Sequence, residues 1–461
     1  MVSEKSKETL EKLSRGRYVN DREIKLGGVP YKAREVLISA PLITRLNTYF
    51  VGGTGRGKTQ LGNDLISYFY DSSCYAMGRP DFEPSELLKQ INLAKLKPGA
   101  ELTDRELVEL TENVRKNLFF IDELNRAPPI VQNYFFDFFD GKIVHNGKIA
   151  NLGKEGFSIG FATGNLGDGE YIGVSDSDRA LKDRMHMIMK VDHPDYKPTP
   201  LNMLDVFRGK KNPRTDMPTD GGILTKDIIE LGNEFMERKT NPLFPFLGIY
   251  LSEGLDYLEQ VKGHSKIACD KMWPNINGIR QDSDESKIFV LSPRSVFSTI
   301  SLTGALEMIA EARGVIPKQP QLFLDSLRFT VPYSGILAPS YVDVTHGGNV
   351  YSAFDNVLGS SSENYIDIVN RSLKLEEAIA LSEIGIKGNK LPDLIRDIFP
   401  GAVPGKWSPV VQAITDNTGR NAKKPEENQD DFIPRMRDIV EKAYEKRDRK
   451  MEEEVEKKGK R

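Results

Sequence analysis

The sequence predicts an α/β fold built on a parallel, doubly wound sheet, and three observations carry that expectation. Between about Asp21 and Tyr196, short apolar runs (Tyr49–Val51, Leu118–Ile121 and Phe157–Ala162) alternate with segments of helical pattern. Strands separated by helices pair in parallel and place ligands at their carboxyl ends. The first run, extended from Thr48, leads straight into GGTGRGKT, Gly52 to Thr59, and then into a predicted helix from Gln60 to Tyr70. The second run ends in Asp122-Glu123, so an apolar strand delivers two acids at its carboxyl end.

Residues 1 to about 20 read as a charged, helical arm that lacks the apolar core of a signal peptide. In the loop that follows the first strand, Gly52, Gly53, Gly55 and Gly57 give the backbone the dihedrals that aim N–H groups inward. With Thr54 and Arg56 they complete a cradle whose donors are joined by the positive end of the next helix. Lys58 adds a point charge for β- and γ-phosphates, and the Thr59 hydroxyl is placed to ligate Mg²⁺. Strand, loop and helix together read as a nucleoside-triphosphate site. Asp122 is placed to orient the Mg²⁺ shell, from a strand expected to lie beside the phosphate loop. Glu123 projects to the other side, where a carboxylate polarises an attacking water, so the pair points to hydrolysis.

Between the second and third runs lies a smaller element. A helical segment, Ile130 to Asp140, leads into Ile143-Val144-His145, then Asn146-Gly147, then Lys148-Ile149-Ala150. The Asn-Gly pair between extended runs predicts a hairpin that projects from the sheet. Phe135, Phe136, Phe138 and Phe139 beside it read as helix packing in preference to a base-stacking surface. With a core at 21–200, residues 201–222 suit a linker, rich in Pro, Lys, Asp and Gly. A helical lid at 223–335 follows, with helices at Ile223–Lys239, Pro245–Val261 and Ser292–Arg313 and a polar insertion around Trp273 to Glu285. Residues 336–430 form a mixed C-terminal region without an assigned role. Within 431–461, Phe432, Ile433, Met436, Ile439, Val440 and Tyr444 recur at helical spacing before a charge-dense tail.

At 461 residues the chain exceeds one ordinary core, so two or three domains are expected. Its composition, 39% hydrophobic and 28% charged with a formal charge of −3, gives no global pull toward nucleic acid, although a local basic channel stays open. Cys74 and Cys269 have no metal-ligand spacing and fit a reducing cytoplasm. The five histidines show no HExxH spacing, no GxSxG elbow occurs, and no apolar run reaches the length of a membrane span. A soluble, cytoplasmic protein without a membrane partner is the expectation.

Asp122 to Pro129 reads DELNRAPP and resembles the DEINRAPP signature of MoxR-type AAA+ ATPases, a helix-2-insert clade. PDFEPSELL, Pro80 to Leu88, is similar to the family's segment before that signature. The Asn146-Gly147 hairpin stands in the place of the insert. FATGN, Phe161 to Asn165, resembles the sensor-1 strand, and Gly169 to Met185 resembles the segment with the arginine finger. SPRS, Ser292 to Ser295, opens a helix as the family's sensor-2 motif does. The resemblance is dense over 45–196, thinner over 223–335 and absent beyond. Gly164 and Leu166 replace a more usual glutamine and proline around the sensor asparagine, and the insertion before Ser292 lies outside the common pattern.

The resemblance implies a P-loop AAA+ core with a helical lid, ATP and Mg²⁺ as ligands, and a homo-oligomeric ring, a hexamer being the expected size. Asn165 would hold the lytic water or sense the γ-phosphate; a strand-end turn is its alternative. Arg184 would reach a neighbour's γ-phosphate, with Arg179 as its rival. Arg294 would act on the same phosphate from the lid, or else be a structural arginine at a helix start. Arg126 reads either as an inter-subunit contact or as a surface ion pair. The implied work is remodelling of a client protein, such as one with a von Willebrand factor A domain. A nucleic-acid motor of the same clade and a nucleotide-dependent scaffold are the competing readings.

Overall fold

A computed structural model describes residues 2–16, 18–69, 72–81, 89–91, 108–128, 135–145, 148–165, 184–208, 224–241 and 291–360, with isolated positions up to 372. The chain divides into two units, Met1–Lys239 with Phe297–Ser334 and Thr240–Val296 with Gly335–Arg461. The range 223–335 expected as a lid falls in both.

The first unit opens with helix α1, Glu4–Leu13, capped by the Ser3 side chain, which accepts from the Ser6 N–H at 3.2 Å. This segment is no loose arm. Leu10 and Leu13 are buried, and the Ser3 and Ser6 hydroxyls each donate to Glu234 at 2.6 Å, on helix Thr225–Glu237. A hairpin not foreseen from the sequence follows, β1 (Glu23–Leu26) and β2 (Val29–Lys32). Its signal was the two-residue turn Gly27-Gly28, with φ of 55° and 80°.

Five parallel strands form the core sheet: β3 (Thr48–Val51), β4 (Ser73–Met77), β7 (Leu118–Asp122), β10 (Ile159–Gly164) and β11 (Met187–Lys190), in the order β11-β3-β10-β7-β4. β3, β7 and β10 are buried at every position, which is why each reads as a continuous apolar run. Edge strand β4 alternates instead, with Tyr75 and Met77 exposed. Strand β7 does not lie beside the strand of the glycine loop: β10 pairs with both and separates them. Strand neighbours are fixed by the route of the crossovers, which local patterning does not encode.

Short antiparallel pairs complete the strands, β5 (Lys89–Ile91) with β6 (Val108–Leu110), and β8 (Lys142–His145) with β9 (Lys148–Asn151). The second pair is the expected hairpin; its Asn146-Gly147 turn lies outside the described residues. Ile143 faces the core, whereas Val144 and its cross-strand partner Ile149 are exposed. The Leu152 N–H donates to the Gly141 carbonyl at 2.9 Å across the hairpin's base. Helix Phe136–Asp140 leads into it, and Phe135, Phe138 and Phe139 pack on Phe119, Ile121 and Ala162 of the sheet. The Phe119 and Phe138 rings are 4.7 Å apart, so this cluster is core packing.

Behind the glycine loop, helix α3 (Lys58–Tyr68), which follows the short helix α2 (Ala40–Thr44) in the chain, is tied down by a buried ion pair. Arg34, 2% exposed, donates to the Leu13 carbonyl at 2.7 Å, the Tyr18 carbonyl at 3.3 Å, the Asp64 carboxylate and the Tyr68 hydroxyl. Helix Pro200–Arg208 occupies the first part of the range read as a linker, since a proline is tolerated at a helix start. Its buried Asn202 accepts from the Asp21 N–H at 3.1 Å and donates to the Asp21 carboxylate at 2.8 Å.

Ser292 of the second unit caps the start of helix Pro293–Ala312, whose residues from Phe297 onward belong to the first unit; its Oγ accepts from the Ser295 N–H at 3.2 Å. Helices Pro339–His346 and Val350–Val357 pack together over Tyr351, Phe354 and Val357. Arg179, Cys269, the 273–285 stretch and the C-terminal helix lie outside the described residues. Among the described residues no helix is long and apolar enough to cross a membrane.

Candidate active site

Register brings the carboxyl ends of three strands to one rim. Val51 of β3 stands opposite Gly164 of β10, and Ala162 of β10 opposite Ile121 of β7. Gly52, Asn165 and the Asp122-Glu123 pair therefore follow one another along it. Within the loop, Gly55 and Gly57 adopt φ of 75° and 83°, where a Cβ is strained, while Thr54, Gly55 and Arg56 face solvent. Gly53 needs no positive φ; its N–H donates to Asp192 Oδ2 at 3.0 Å. Asp192, just past β11, was not singled out from the sequence.

Lys58 opens α3 and is nearly buried. Its Nζ donates to the Gly52 carbonyl at 2.7 Å, the Gly53 carbonyl at 2.8 Å and Asn165 Oδ1 at 2.9 Å. Burial pulls the ammonium below the usual lysine range, opposed by Asp192, Asp122 and Glu123. Thr59 Oγ1 donates to Asp122 Oδ2 at 3.3 Å. The other Asp122 oxygen accepts from Thr163, and the Tyr75 hydroxyl adds a bond at 3.4 Å. Burial first, then Asp122, pushes the Tyr75 phenol up to about 12. Thr59, at the start of the helix that follows β3, meets Asp122 of β7 although those two strands are not neighbours. At about 4.8 Å per strand, roughly 10 Å separates the two strand ends, within the combined span of a helix start and two side chains.

Glu123 takes a left-handed conformation, φ 54° and ψ 40°, uncommon for glutamate and concentrated at functional sites. Its N–H donates to Thr163 Oγ1 at 3.0 Å, and its carboxylate pairs with Arg126 at 3.0 Å across the 3₁₀ turn Leu124–Arg126. Of the two readings of Arg126, the geometry supplies an ion pair within the chain. Asn165 is buried, and its backbone is held by the side chain of Asn125, a residue the sequence reading passed over. The available signal was an asparagine in the turn directly after two acids.

One predicted residue of the same unit lies away from this rim. Arg184 precedes β11, which begins with Met187 opposite Thr48, so it stands at the amino ends of the strands. The length of β3, about 10 Å at 3.3 Å per residue, separates that edge from its own loop. Its guanidinium pairs with Asp140 at 3.0 Å and 3.1 Å and lies 4.1 Å above the Phe136 ring. Arg294 belongs to the second unit, where it is exposed on the first turn of its helix.

Residues 47–185 match the AAA domain of the dynein-related subfamily. Chaperone protein ClpB 2 of Nostoc sp. is 26% identical over 167 residues, 34% of this chain and 18% of the relative. The ATP-dependent Clp protease ATP-binding subunit ClpE of Lactococcus lactis is 33% identical over 132 residues, 26% of this chain and 16% of the relative. The chain thus spans less than a fifth of these curated relatives. A solved structure from Cytophaga hutchinsonii, provisionally described as an ATPase, superposes with a TM-score of 0.51 at 16% identity, covering 76% of this chain and 93% of that one. The fold is the α/β P-loop fold expected from the sequence, and residues 47–185 form an AAA domain.

Proposed function

We propose that this chain, with its AAA domain, is a Mg²⁺-dependent ATPase that works in the cytoplasm as a ring of identical subunits, with six as the expected number, and remodels a protein partner. The observation that carries the reading is the meeting of Lys58, Thr59, Asp122, Glu123 and Asn165 on one rim, with Lys58 2.9 Å from Asn165 and Thr59 3.3 Å from Asp122.

The amides of Gly52 to Gly57 and the start of α3 bind the phosphates. Lys58 exchanges its bonds to the Gly52 and Gly53 carbonyls for phosphate oxygens, which return a counter-charge to a desolvated ammonium. Thr59 and Asp122 are the residues that would hold Mg²⁺. A hydroxyl and a carboxylate, with other positions left to water and phosphate, suit the oxygen preference of that ion. Bound there, it neutralises phosphate charge. Glu123 accepts a proton from the attacking water once it has parted from Arg126, and Asn165 orients that water or senses the terminal phosphate.

Arg184 stands at the edge of the sheet opposite its own loop, which favours action on the site of a neighbouring subunit, where it would stabilise charge in the transition state. Arg294 would couple the lid to the same phosphate. The relatives named as chaperones and as a protease subunit favour a protein client over nucleic acid. The exposed Val144 and Ile149 of the hairpin, flanked by Lys142 and Lys148, give a client a surface to grip. The resemblance to MoxR-type ATPases favours a client with a von Willebrand factor A domain.

Steady-state ATPase assays test the core of this reading. Wild type should turn over about 100-fold faster than Glu123→Gln or more, the usual worth of a general base. Equal rates would end the enzyme reading, and stimulation by DNA would turn it toward a nucleic-acid motor. Arg184→Ala should be inactive alone yet regain activity when mixed with Glu123→Gln subunits, which still supply the arginine. Absence of that recovery leaves the finger assignment open between Arg184 and Arg179.

A further inference from the structure

After Asp122 the chain does not run on. Glu123 turns into the left-handed region and the 3₁₀ turn Leu124–Arg126 folds back, which brings Asn125 over the end of β10. There its carboxamide makes two bonds to one residue. Asn125 Nδ2 donates to the Asn165 carbonyl, and the Asn165 N–H donates to Asn125 Oδ1 at 3.2 Å. These are the bonds that a neighbouring strand would make. The β7–β10 ladder ends at Ile121 opposite Ala162, and a side chain takes over where the strand has left.

The substituents on either side fit this arrangement. A Cβ on Gly164 would stand 2.7 Å from Asn125 Oδ1 and 2.1 Å from the Tyr49 hydroxyl, so a larger residue would push the amide away. Asn125 and Asn165 are 3% and 6% exposed, so the bonds form out of water, where loss of either leaves a buried backbone group unmet. One planar group that both donates and accepts is what a primary amide offers; a carboxylate supplies only the acceptor. The far end of Asn165 receives Lys58 Nζ at 2.9 Å.

We infer that Asn125 is a positioning residue, which sets the reach of the Asn165 carboxamide toward Lys58 and joins it to the turn that carries Glu123 and Arg126. The inference rests on the ATPase reading. A misplacement of the order of 1 Å at such a group costs up to about 100-fold in rate, without a matching loss of ground-state binding.

Four full-length variants test it: Asn125→Ala, Asn125→Asp, Asn165→Ala and the double variant Asn125→Ala/Asn165→Ala. Asn125→Ala should lower kcat about tenfold or more and leave ATP affinity within about threefold. Asn125→Asp, nearly isosteric, should fold and fall between alanine and wild type. A residue that acts through Asn165 adds nothing once Asn165 is truncated, so the double variant should match Asn165→Ala within about twofold. Losses that multiply, or an Asn125→Ala rate within twofold of wild type, would overturn the role. Hydrogen exchange in the peptide containing Asn165 gives a readout independent of turnover. Either Asn125 variant should speed it, and unchanged exchange sinks the clamp itself. A wild type no faster than Glu123→Gln, with exchange accelerated in the Asn125 variants, would instead refute the ATPase reading and leave the clamp standing.

Discussion

Replacing Arg34 with methionine isolates the physics of the ion pair behind the glycine loop. The Arg34 and Asp64 side chains are 3% and 1% exposed, so neither charge is relieved by solvent. Arg34→Met keeps the volume of the stem, removes the countercharge of Asp64, and strips donors from the Leu13 and Tyr18 carbonyls. Asp64 retains the Tyr18 N–H at 3.3 Å. Breaking one side of a buried pair costs about 3–5 kcal/mol. At roughly 2–4 °C per kcal/mol for a domain of this size, the apparent Tm followed by circular dichroism at 222 nm should fall by about 10 °C. Arg34→Met/Asp64→Leu removes the stranded charge as well and should recover more than half of that loss, since an apolar pair replaces ions at little cost. A single variant within 2 °C of wild type, or a double variant less stable than the single, would refute the argument that desolvation governs this site.

Two further outcomes follow from the same geometry. Gly164→Ala places a methyl 2.1 Å from the Tyr49 hydroxyl and should lose about 1–3 kcal/mol by urea unfolding, as overpacked cores do; an unchanged midpoint would contradict the crowding. Burial pushes the Cys74 thiol up to about 11 from 9.0, so in a Cys269→Ser background the native protein should react with a disulfide reagent at pH 8 about 100-fold more slowly than an unfolded control. The sign for stability follows: the neutral thiol favours the fold below pH 9, and that contribution is lost as pH rises from 9 toward about 11. Equal labelling rates would show that the thiol is not sheltered.

Much of this fold was legible in the chain, for local reasons. Strands buried on both faces have to be apolar throughout, so Thr48–Val51 and Leu118–Asp122 announce themselves, and an Asn-Gly pair between extended runs has few uses besides a hairpin. The acids could be placed because they end such a strand, and the loop lysine because it closes the glycine-rich loop that follows another. What escaped depends on neighbours far away in sequence. That β10 lies between β3 and β7 is a property of crossovers, and that Asp192 meets Gly53 follows from β11 lying on the other side of β3. Asn125 escaped for a subtler reason: asparagine after two acids reads as an ordinary turn residue, and only the fold shows which backbone it meets.

The hairpin β8–β9 leaves the domain between β7 and β10, which are adjacent strands, and its base is shut by the Leu152–Gly141 hydrogen bond. Such an excursion is a cassette with a closed neck. Its exposed end can lengthen, shorten or change character without altering the distance between Asp122 and Asn165, provided Ile143 and Leu152 keep their places in the core. The character of the hairpin's exposed face and the geometry of the rim can therefore diverge independently, and a hairpin grafted from another chain would need to match only a neck and two apolar anchors.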